Sequence, residues 1–472
     1  MPEQIIGLWP GFEYKPHQET GIAWMLQRER KRSGGVLCDE MGLGKTIETV
    51  GLIKSSIEKG KNKQQNLLVA PVAVLEQWKA VIRRSGMTVK VPSPSGVSWV
   101  VEGKGNLFAP EIHCIGYEAA TRKPTLLTVF KWHRVIYDEA HRIASGNSGT
   151  ELAKRLKTSH MWMLTGTPIV NKVKDLSTLL ELVGVKSPGT NMDTLGPHIK
   201  SHVLARTMEQ LRATIPDAPA APIYKTLHLE FKTPEEAKFY KDKTDIIANR
   251  LSKLGKGSAL ERLKLLMRLR QVSLHPQIYN EAKKKTVPGW DMPDWTGSQT
   301  KFDAIRDLIC SKNSHKWIIF CHFRHEMTML EEMLKVESSV ELIQQYHGGC
   351  SAAQKADILE RTHMPLMEGK QEVLLVQLQS GGTGLNLQHF DQIIFTGPWW
   401  TKALMEQAVG RAVRIGQKKQ VVVYLLKLIA EDEDGLNIDH FMFEKADAKG
   451  DLCRKVLEGA TTAVRLKDLV LE

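Results

Sequence analysis

Few cysteines, no paired-cysteine motif, no long apolar run and no short tandem repeat occur in this chain. The six cysteines (Cys38, Cys114, Cys310, Cys321, Cys350, Cys453) are scattered and none forms a CxxC pair. That excludes a disulfide framework and a cysteine-based zinc module, and it fits a reducing compartment. His322 and His325 come nearest to a metal pair, but no ligand cluster accompanies them, so no structural metal is expected there. No apolar run reaches membrane-spanning length, so no membrane partner is expected. The opening Met1-Pro2-Glu3-Gln4 lacks the charged-then-apolar order of a secretory signal. The expected location is nuclear in a eukaryote and cytoplasmic otherwise, and the default expectation is a monomer.

At 472 residues the chain is too long for one hydrophobic core, so two or three packed units are expected. Its 65 Lys and Arg outnumber 53 Asp and Glu, a formal net charge of +12. Such an excess suits a polyanionic partner such as nucleic acid.

The apolar pattern alternates strands with helices in both halves, which implies parallel sheets covered by helices on both faces. In the first half a helix is expected over 13–32, beginning after Pro16. Val36-Leu37-Cys38 is a short buried strand, Thr46 to Ile57 a helix and Leu67 to Ala70 a strand. Residues 85–110 should be loop or a small ribbon. Val135 to Tyr137 and Met161 to Leu164 are further strands. In the second half Trp317 to Phe320, Val373 to Val376, Gln392 to Phe395 and Val421 to Leu425 are strands, and Glu326 to Leu334 is a helix. Residues 234–275 read as helical and basic. Residues 278–300, rich in Lys, Pro and Gly, read as an exposed connector.

Four segments follow strands and carry chemistry. Asp39-Glu40-Met41-Gly42-Leu43-Gly44-Lys45-Thr46 follows a strand and opens a helix, the setting of a phosphate cradle. There, backbone N–H groups and a helix N-terminus face an anion. Lys45 would reach the outer phosphates of ATP and Thr46 would coordinate Mg²⁺. Asp39 stands where the usual pattern has its first glycine. Asp138 and Glu139 end an apolar strand, where ligands of open α/β sheets gather. Asp138 would hold Mg²⁺ and Glu139 would orient and deprotonate the attacking water. Thr165-Gly166-Thr167-Pro168 either relays the state of the phosphates to bound nucleic acid or simply caps a strand. Ser380 to Leu387, with Gly382, Gly384 and Asn386, offers backbone amides to DNA phosphates or to the ATP site.

Gln407, Gly410, Arg411 and Arg414 stand at i, i+3, i+4 and i+7, which on a helix is one stripe. Glycine inside a helix costs about 1 kcal/mol relative to alanine, so a close approach to the backbone is expected there. Two guanidiniums on one stripe either clamp a γ-phosphate or form a solvated basic face. Arginine fingers of the first kind are worth about 10³–10⁵ in rate. Trp399-Trp400 either stack on bases or pack in a core or interface, and packing is the simpler reading.

Taken in order, these residues resemble the Swi/Snf-like ATPases, the chromatin-remodelling branch of helicase superfamily two. Tyr14-Lys-Pro-His-Gln18 with Gly21 to Leu26 resembles the family's adenine-recognising segment, which assigns Gln18 to adenine. Asp39 to Thr46 matches the family's own loop, including the missing glycine. Ala70-Pro71 through Gln77-Trp78, Asp138-Glu-Ala-His141, Leu164 to Asn171 and Leu269 to Pro276 follow. Ile318 to Phe323, Gly381 to Leu387 and Gln407 to Gln417 complete the match. The ending Arg414-Ile-Gly-Gln417 is its most specific part.

The resemblance implies an α/β fold of two RecA-like parallel-sheet lobes with small helical protrusions and a nucleotide cleft between them. The lobes would be 1–228, with a helical insertion near 172–228, and 301–472. A helical protrusion and connector would occupy 229–300. It implies a DNA-dependent ATPase that tracks along double-stranded DNA and displaces or remodels a nucleosome, polymerase or other bound protein. Its catalytic set would be Lys45, Asp138, Glu139, Arg411 and Arg414. Nucleotide contacts would come from Gln18, Asp39, Gly42, Leu43, Gly44, Lys45, Thr46, Gln407 and Gly410, and Mg²⁺ contacts from Thr46 and Asp138. Coupling to DNA would use Thr165, Gly166, Thr167, Gly382, Gly384 and Asn386. The alternatives are a strand-separating or RNA-directed helicase of the same superfamily, or a viral or bacterial transcription-associated ATPase. In Val203 to Met208, Ala205 and Met208 replace two charges that the family often carries, and Ala144 stands where a lysine often follows the acidic motif. No RING, bromo- or chromodomain-like segment is present.

Overall fold

The computed structural model describes residues 5–56, 64–105, 109–170, 172–215, 217–255, 258–378, 385–399, 401–430 and 437–458. The chain forms two compact units, one of Met1–Ala218 with Lys449–Glu472 and one of Pro219–Ala448.

In the first unit eight strands form one sheet. They are β1 (Gly35–Leu37), β2 (Gln65–Ala70), β3 (Thr88–Pro92), β4 (Trp99–Val101), β5 (Glu111–Gly116), β6 (Lys131–Asp138), β7 (Lys157–Leu164) and β8 (Val203–Leu204). Their order is β4-β3-β5-β2-β6-β7-β1-β8. Every pairing is parallel except β3 with β4, the small ribbon expected within 85–110. The central strands are nearly continuous apolar runs, as strands covered on both faces must be. One core holds Val36, Leu67, Val69, Val135, Tyr137 and Met163, and the opposite one Leu37, Leu68, Ile136, Trp162 and Leu164. The helices Pro16–Arg30, Lys45–Ser55 and Val72–Arg84 bury their apolar sides against this sheet.

Register fixes what this sheet can present. Leu37 of β1 lies opposite Leu164 of β7, and Leu164 lies opposite Asp138 of β6. Three strands therefore end on one line, and the segments after them emerge side by side. The neighbouring β8 adds Leu204 opposite Leu37.

The second unit contains β9 (Ile223–Leu229), β10 (Lys316–Cys321), β11 (Val340–Tyr346), β12 (Gln371–Gln377), β13 (Gln392–Phe395) and β14 (Val422–Leu428), ordered β11-β12-β10-β13-β14-β9 and wholly parallel. Strand β9 runs alongside β14 over its whole length, so 223–228, grouped with the N-terminal lobe on sequence, lies in this sheet, and 219–222 lead into it within the second unit. The basic segment resolves into the helices Pro234–Ser252 and Ala259–Leu274.

One expectation fails locally. The supposed connector begins as a helix, Pro276–Lys284. Its start is fixed by Pro276 in the first turn and by His275, whose Nδ1 accepts the Gln277 N–H at 2.9 Å. Ile278 and Tyr279 bury its apolar side. Lysine at its end suits the negative pole of a helix as well as it suits a loop, which is why composition misleads there. Among the described residues no helix is long and apolar enough to cross a membrane.

Candidate functional site

The glycine loop leaves β1 at Cys38 and enters the helix Lys45–Ser55. Gly42 and Gly44 have φ of 89° and 97°, the left-handed region open chiefly to glycine. A Cβ on Gly44 would lie 2.4 Å from Gln18 Nε2, so the loop also needs glycine there for close approach. Lys45 folds back over the loop, donating to the Asp39 carbonyl at 2.6 Å and the Glu40 carbonyl at 3.4 Å. Thr46 is half-buried in the first helical turn.

Two residues of the preceding helix hold the loop. The Gln18 amide donates to the Leu43 carbonyl at 3.2 Å, and its Oε1 accepts the Lys15 N–H at 3.1 Å. His17 Nε2 also bonds the Leu43 carbonyl, at 2.8 Å. Gln18, the residue that the resemblance assigns to adenine, thus also braces the loop.

Asp39 has a different partner from the one its place in the motif suggests. Its carboxylate is fully buried and accepts from Arg206, with Nε 3.0 Å from each oxygen and a further contact from Nη2. Arg206 Nη2 also donates to Glu48 Oε1 at 2.8 Å, and Nη1 donates to the His17 carbonyl and, at 3.1 Å, to Thr20 Oγ1. One guanidinium therefore serves two buried carboxylates and the helix before the loop. Burial pushes the Glu48 carboxyl up, against the pull of Arg206. A Cβ on Gly21 would come within 2.6 Å of Glu48 Oε2 and 2.9 Å of Arg206 Nη2, so glycine there makes room for the cluster. Asp39 contributes to the loop through its backbone, while its side chain anchors the loop's base. The sequence singled out the Arg206 segment for its missing charges and missed this role; the contact joins residues 167 positions apart.

At the end of β6, Asp138 Oδ2 accepts from the Trp78 indole N–H at 2.8 Å and Oδ1 from the Glu139 N–H at 3.0 Å. The Tyr117 hydroxyl donates to the Asp138 carbonyl at 2.7 Å. Burial, and then the adjacent Glu139 carboxylate, push the Asp138 carboxyl up to about 6, with Trp78 and Lys45 pulling the other way. Glu139 has φ 55°, a left-handed position unusual for a non-glycine residue and typical of functional turns. The chain then enters a tight turn that carries His141. Its Nδ1 is 3.1 Å from Thr165 Oγ1 and 3.5 Å from Glu139 Oε2. Thr165 Oγ1 also accepts the Thr167 N–H at 3.1 Å. Burial, and then Arg142, lower His141 to about 4, so its ring is neutral near pH 7. A Cβ on Gly166 would sit 3.9 Å from Lys45 Nζ and 3.6 Å from the Asp39 carbonyl. Lys45, Asp138, Glu139, Thr165, Gly166 and Thr167 are thereby gathered at one edge of the sheet. His141 and Tyr117 join them without having been assigned roles from sequence; His141 was quoted only as part of the acidic motif.

The second unit carries the arginines. The helix expected to hold all four residues stops early: Lys402–Val409 contains Gln407, and Gly410 is its C-cap. Arg411 to Gly416 form successive tight turns, with N–H bonds from Arg411 to Ala408 and from Arg414 to Ala412. The single helical stripe is therefore replaced by a helix end and a turn. The cause lies in tertiary contacts. The Leu387 N–H takes the Arg411 carbonyl at 3.0 Å, Gln388 donates to the Ile415 carbonyl, and the Gln417 amide donates to the Phe390 carbonyl at 3.0 Å. Arg411 is buried, and Arg414 Nε donates to the Gly410 carbonyl at 2.9 Å. Burial, and then the like charge of Arg411, pull Arg414 down to about 9. Asn386 is exposed on the bracing loop. Gly382 and Gly384 lie outside the described residues, as does Trp400. Trp399 is packed, stacked on His322 at 5.1 Å with the Arg270 guanidinium 4.7 Å from its ring.

Comparison with known proteins adds two family matches. A model described as SNF2-related domain matches residues 17–195, and one described as helicase conserved C-terminal domain matches 300–416. An uncharacterized ATP-dependent helicase of Mycoplasma pneumoniae is 27% identical over 88% of this chain and 40% of its own length. A probable ATP-dependent DNA helicase of Arabidopsis thaliana is 27% identical over 96% of this chain and 44% of its own length. A probable global transactivator of Orgyia pseudotsugata multicapsid polyhedrosis virus is 27% identical over 96% of this chain and 93% of its own. The chain thus spans about two-fifths of the length of the Mycoplasma and Arabidopsis proteins.

Proposed function

We propose that the chain, which matches an SNF2-related domain over 17–195 and a helicase C-terminal domain over 300–416, is an SNF2-related ATPase that tracks along double-stranded DNA and displaces or remodels proteins bound there. The observation that carries the reading is the register of β1, β6 and β7. It sets a glycine loop, a carboxylate pair and a threonine turn side by side at one sheet edge.

The residues present fit Mg·ATP. Gly42 and Gly44 let the loop backbone approach an anion, and Lys45 adds a cation at the mouth of a helix N-terminus. Two adjacent carboxyls, one held up to about 6, are a pair that a cation would relieve. Thr46 and Asp138 would hold Mg²⁺, which supplies charge neutralisation at the phosphates. Glu139 would position a water for attack and accept its proton. Gln18 and His17 keep the loop in shape beside the base. The role that the resemblance assigns to Arg411 and Arg414, in the second unit, is to offset charge as the phosphoryl group transfers. Gln407 and Gly410 set the helix end from which those arginines leave. The contact from Glu139 through His141 to Thr165 gives a physical route by which the phosphate state could reach the threonine turn, and Asn386 offers an exposed amide to DNA.

Double-stranded DNA as the track is supported by the net charge of +12 and by relatives named DNA helicases. ATP hydrolysis measured side by side with duplex DNA, single strands and RNA tests this. Duplex DNA is expected to stimulate most, and stimulation by RNA alone would overturn the proposal. Displacement of a third strand from a triplex, with ATP and without separation of the duplex, is the expected sign of tracking.

A further inference from the structure

Away from the nucleotide motifs, the helices Pro234–Ser252, Ala259–Leu274 and Pro276–Lys284 bring four cations together. Lys243 and Arg250 lie seven residues apart on the first helix, which places them on one face about 10 Å apart. Arg268 comes from the second helix and Lys283 from the third. Arg268 is fixed by bonds from Nη1 to Gln271 Oε1 at 2.9 Å and from Nη2 to Thr286 Oγ1 at 2.5 Å. Lys283 Nζ stands 5.5 Å from the Tyr279 ring and 5.4 Å from the Trp290 ring. Lys243 Nζ stands 5.0 Å from the Phe239 ring. Aromatic faces hold these cations without cancelling their charge. The carboxylates of Glu281 and Asp294 are taken by Lys284, at 3.2 and 2.7 Å. The Lys283 ammonium is pulled below its ordinary value by burial and then by Arg268, Arg250 and Lys243.

We propose that Lys243, Arg250, Arg268 and Lys283 form a second DNA contact, a site on the helical part of the second unit that grips the phosphodiester backbone. The proposal rests on the DNA reading above and adds a place of contact that the nucleotide motifs do not supply. A cluster spread over three helices, two of its members about 10 Å apart, suits a run of phosphates better than one small anion. Guanidinium and ammonium are groups that bond phosphate oxygens without reading sequence.

The test uses the full chain and measures duplex binding without nucleotide across a range of salt. The double variant Arg250→Gln/Lys283→Gln should weaken binding uniformly across sequences, on the order of tenfold at low salt, and lower the salt slope by about one per lost phosphate contact. Nucleotide binding should not change, and Lys283→Arg should keep the slope. A slope equal to that of the unaltered chain overturns the site. So does displacement of the duplex by poly-glutamate at equal charge, which would identify an acidic peptide as the ligand. If the double variant does not fold, Arg250→Gln at its exposed position decides alone: a slope lower by about one supports the site, and an unchanged slope ends it. Absence of DNA-stimulated ATP hydrolysis in the unaltered chain would defeat the translocase reading, and the slope comparison would still decide this contact.

Discussion

The two regions that carry the candidate chemistry manage charge in opposite ways. At the edge of the first sheet, negative groups dominate and a buried cation stabilises the scaffold beneath them: Arg206 binds Asp39, Glu48 and the His17 carbonyl. In the second unit, two guanidiniums are drawn together on a turn, and Arg414 is pulled down to about 9 by burial and by Arg411. The first region compensates its charge internally and can be rigid without a ligand. The second sets two guanidiniums on one turn, and an arriving anion would favour their charged forms.

The largest expected effect comes from removing the charge that acts on phosphate. Lys45→Ala should abolish DNA-stimulated hydrolysis together with most nucleotide binding. Arg414→Ala should lower hydrolysis by about 10³-fold or more while nucleotide binding persists, as read by a fluorescent ATP analogue. Normal turnover in Arg414→Ala would remove the second region from the chemistry and end the contrast.

Next comes the scaffold. Arg206→Leu would strand two buried carboxylates and should destabilise the first unit by about 3–5 kcal/mol in urea unfolding. Arg414→Gln, which removes one of two like charges, should cost no stability. If Arg206→Leu unfolds at the same denaturant concentration as the unaltered chain, the first region does not depend on internal compensation.

A smaller effect concerns pH. The Asp138 carboxyl is raised from an ordinary 3.8 to about 6. A carboxyl raised on folding favours the protonated state, so its contribution is complete below about pH 4 and is lost as pH climbs through 6. Asp138→Asn should therefore stabilise the apo chain at pH 7.5, by on the order of 1 kcal/mol, and by progressively less toward pH 4. Equal gains at pH 4 and pH 7.5 in thermal unfolding would show that Asp138 does not carry the strain. Mg·ATP should reduce the gain at pH 7.5, since a cation relieves the same repulsion.

Much of this was legible along the chain because it depends on neighbours in sequence. Strand ends at Leu37, Asp138 and Leu164 follow from buried apolar runs, and the need for left-handed backbone at Gly42 and Gly44 follows from a loop that must turn tightly into a helix. The arginine segment was misread as one helix because spacing alone cannot see Leu387, Gln388 and Phe390 drawing its carbonyls and amides into a turn. Pro276–Lys284 was misread as connector because its lysines and flanking prolines are as common in loops as in helix ends.

The sequence by itself determined the alternation of strands and helices, the position of the glycine, carboxylate and threonine motifs at the ends of strands, and the family that the chain resembles. These are set by local periodicity and by the residue types that a phosphate loop requires. Only the tertiary structure decided which charges meet. It joined Asp39 to Arg206 and His141 to Thr165, bent the arginine segment into a turn and gathered Lys243, Arg250, Arg268 and Lys283 on three helices. The reason is that electrostatic and hydrogen-bond partners are chosen by distance in space, and burial makes those choices costly to reverse.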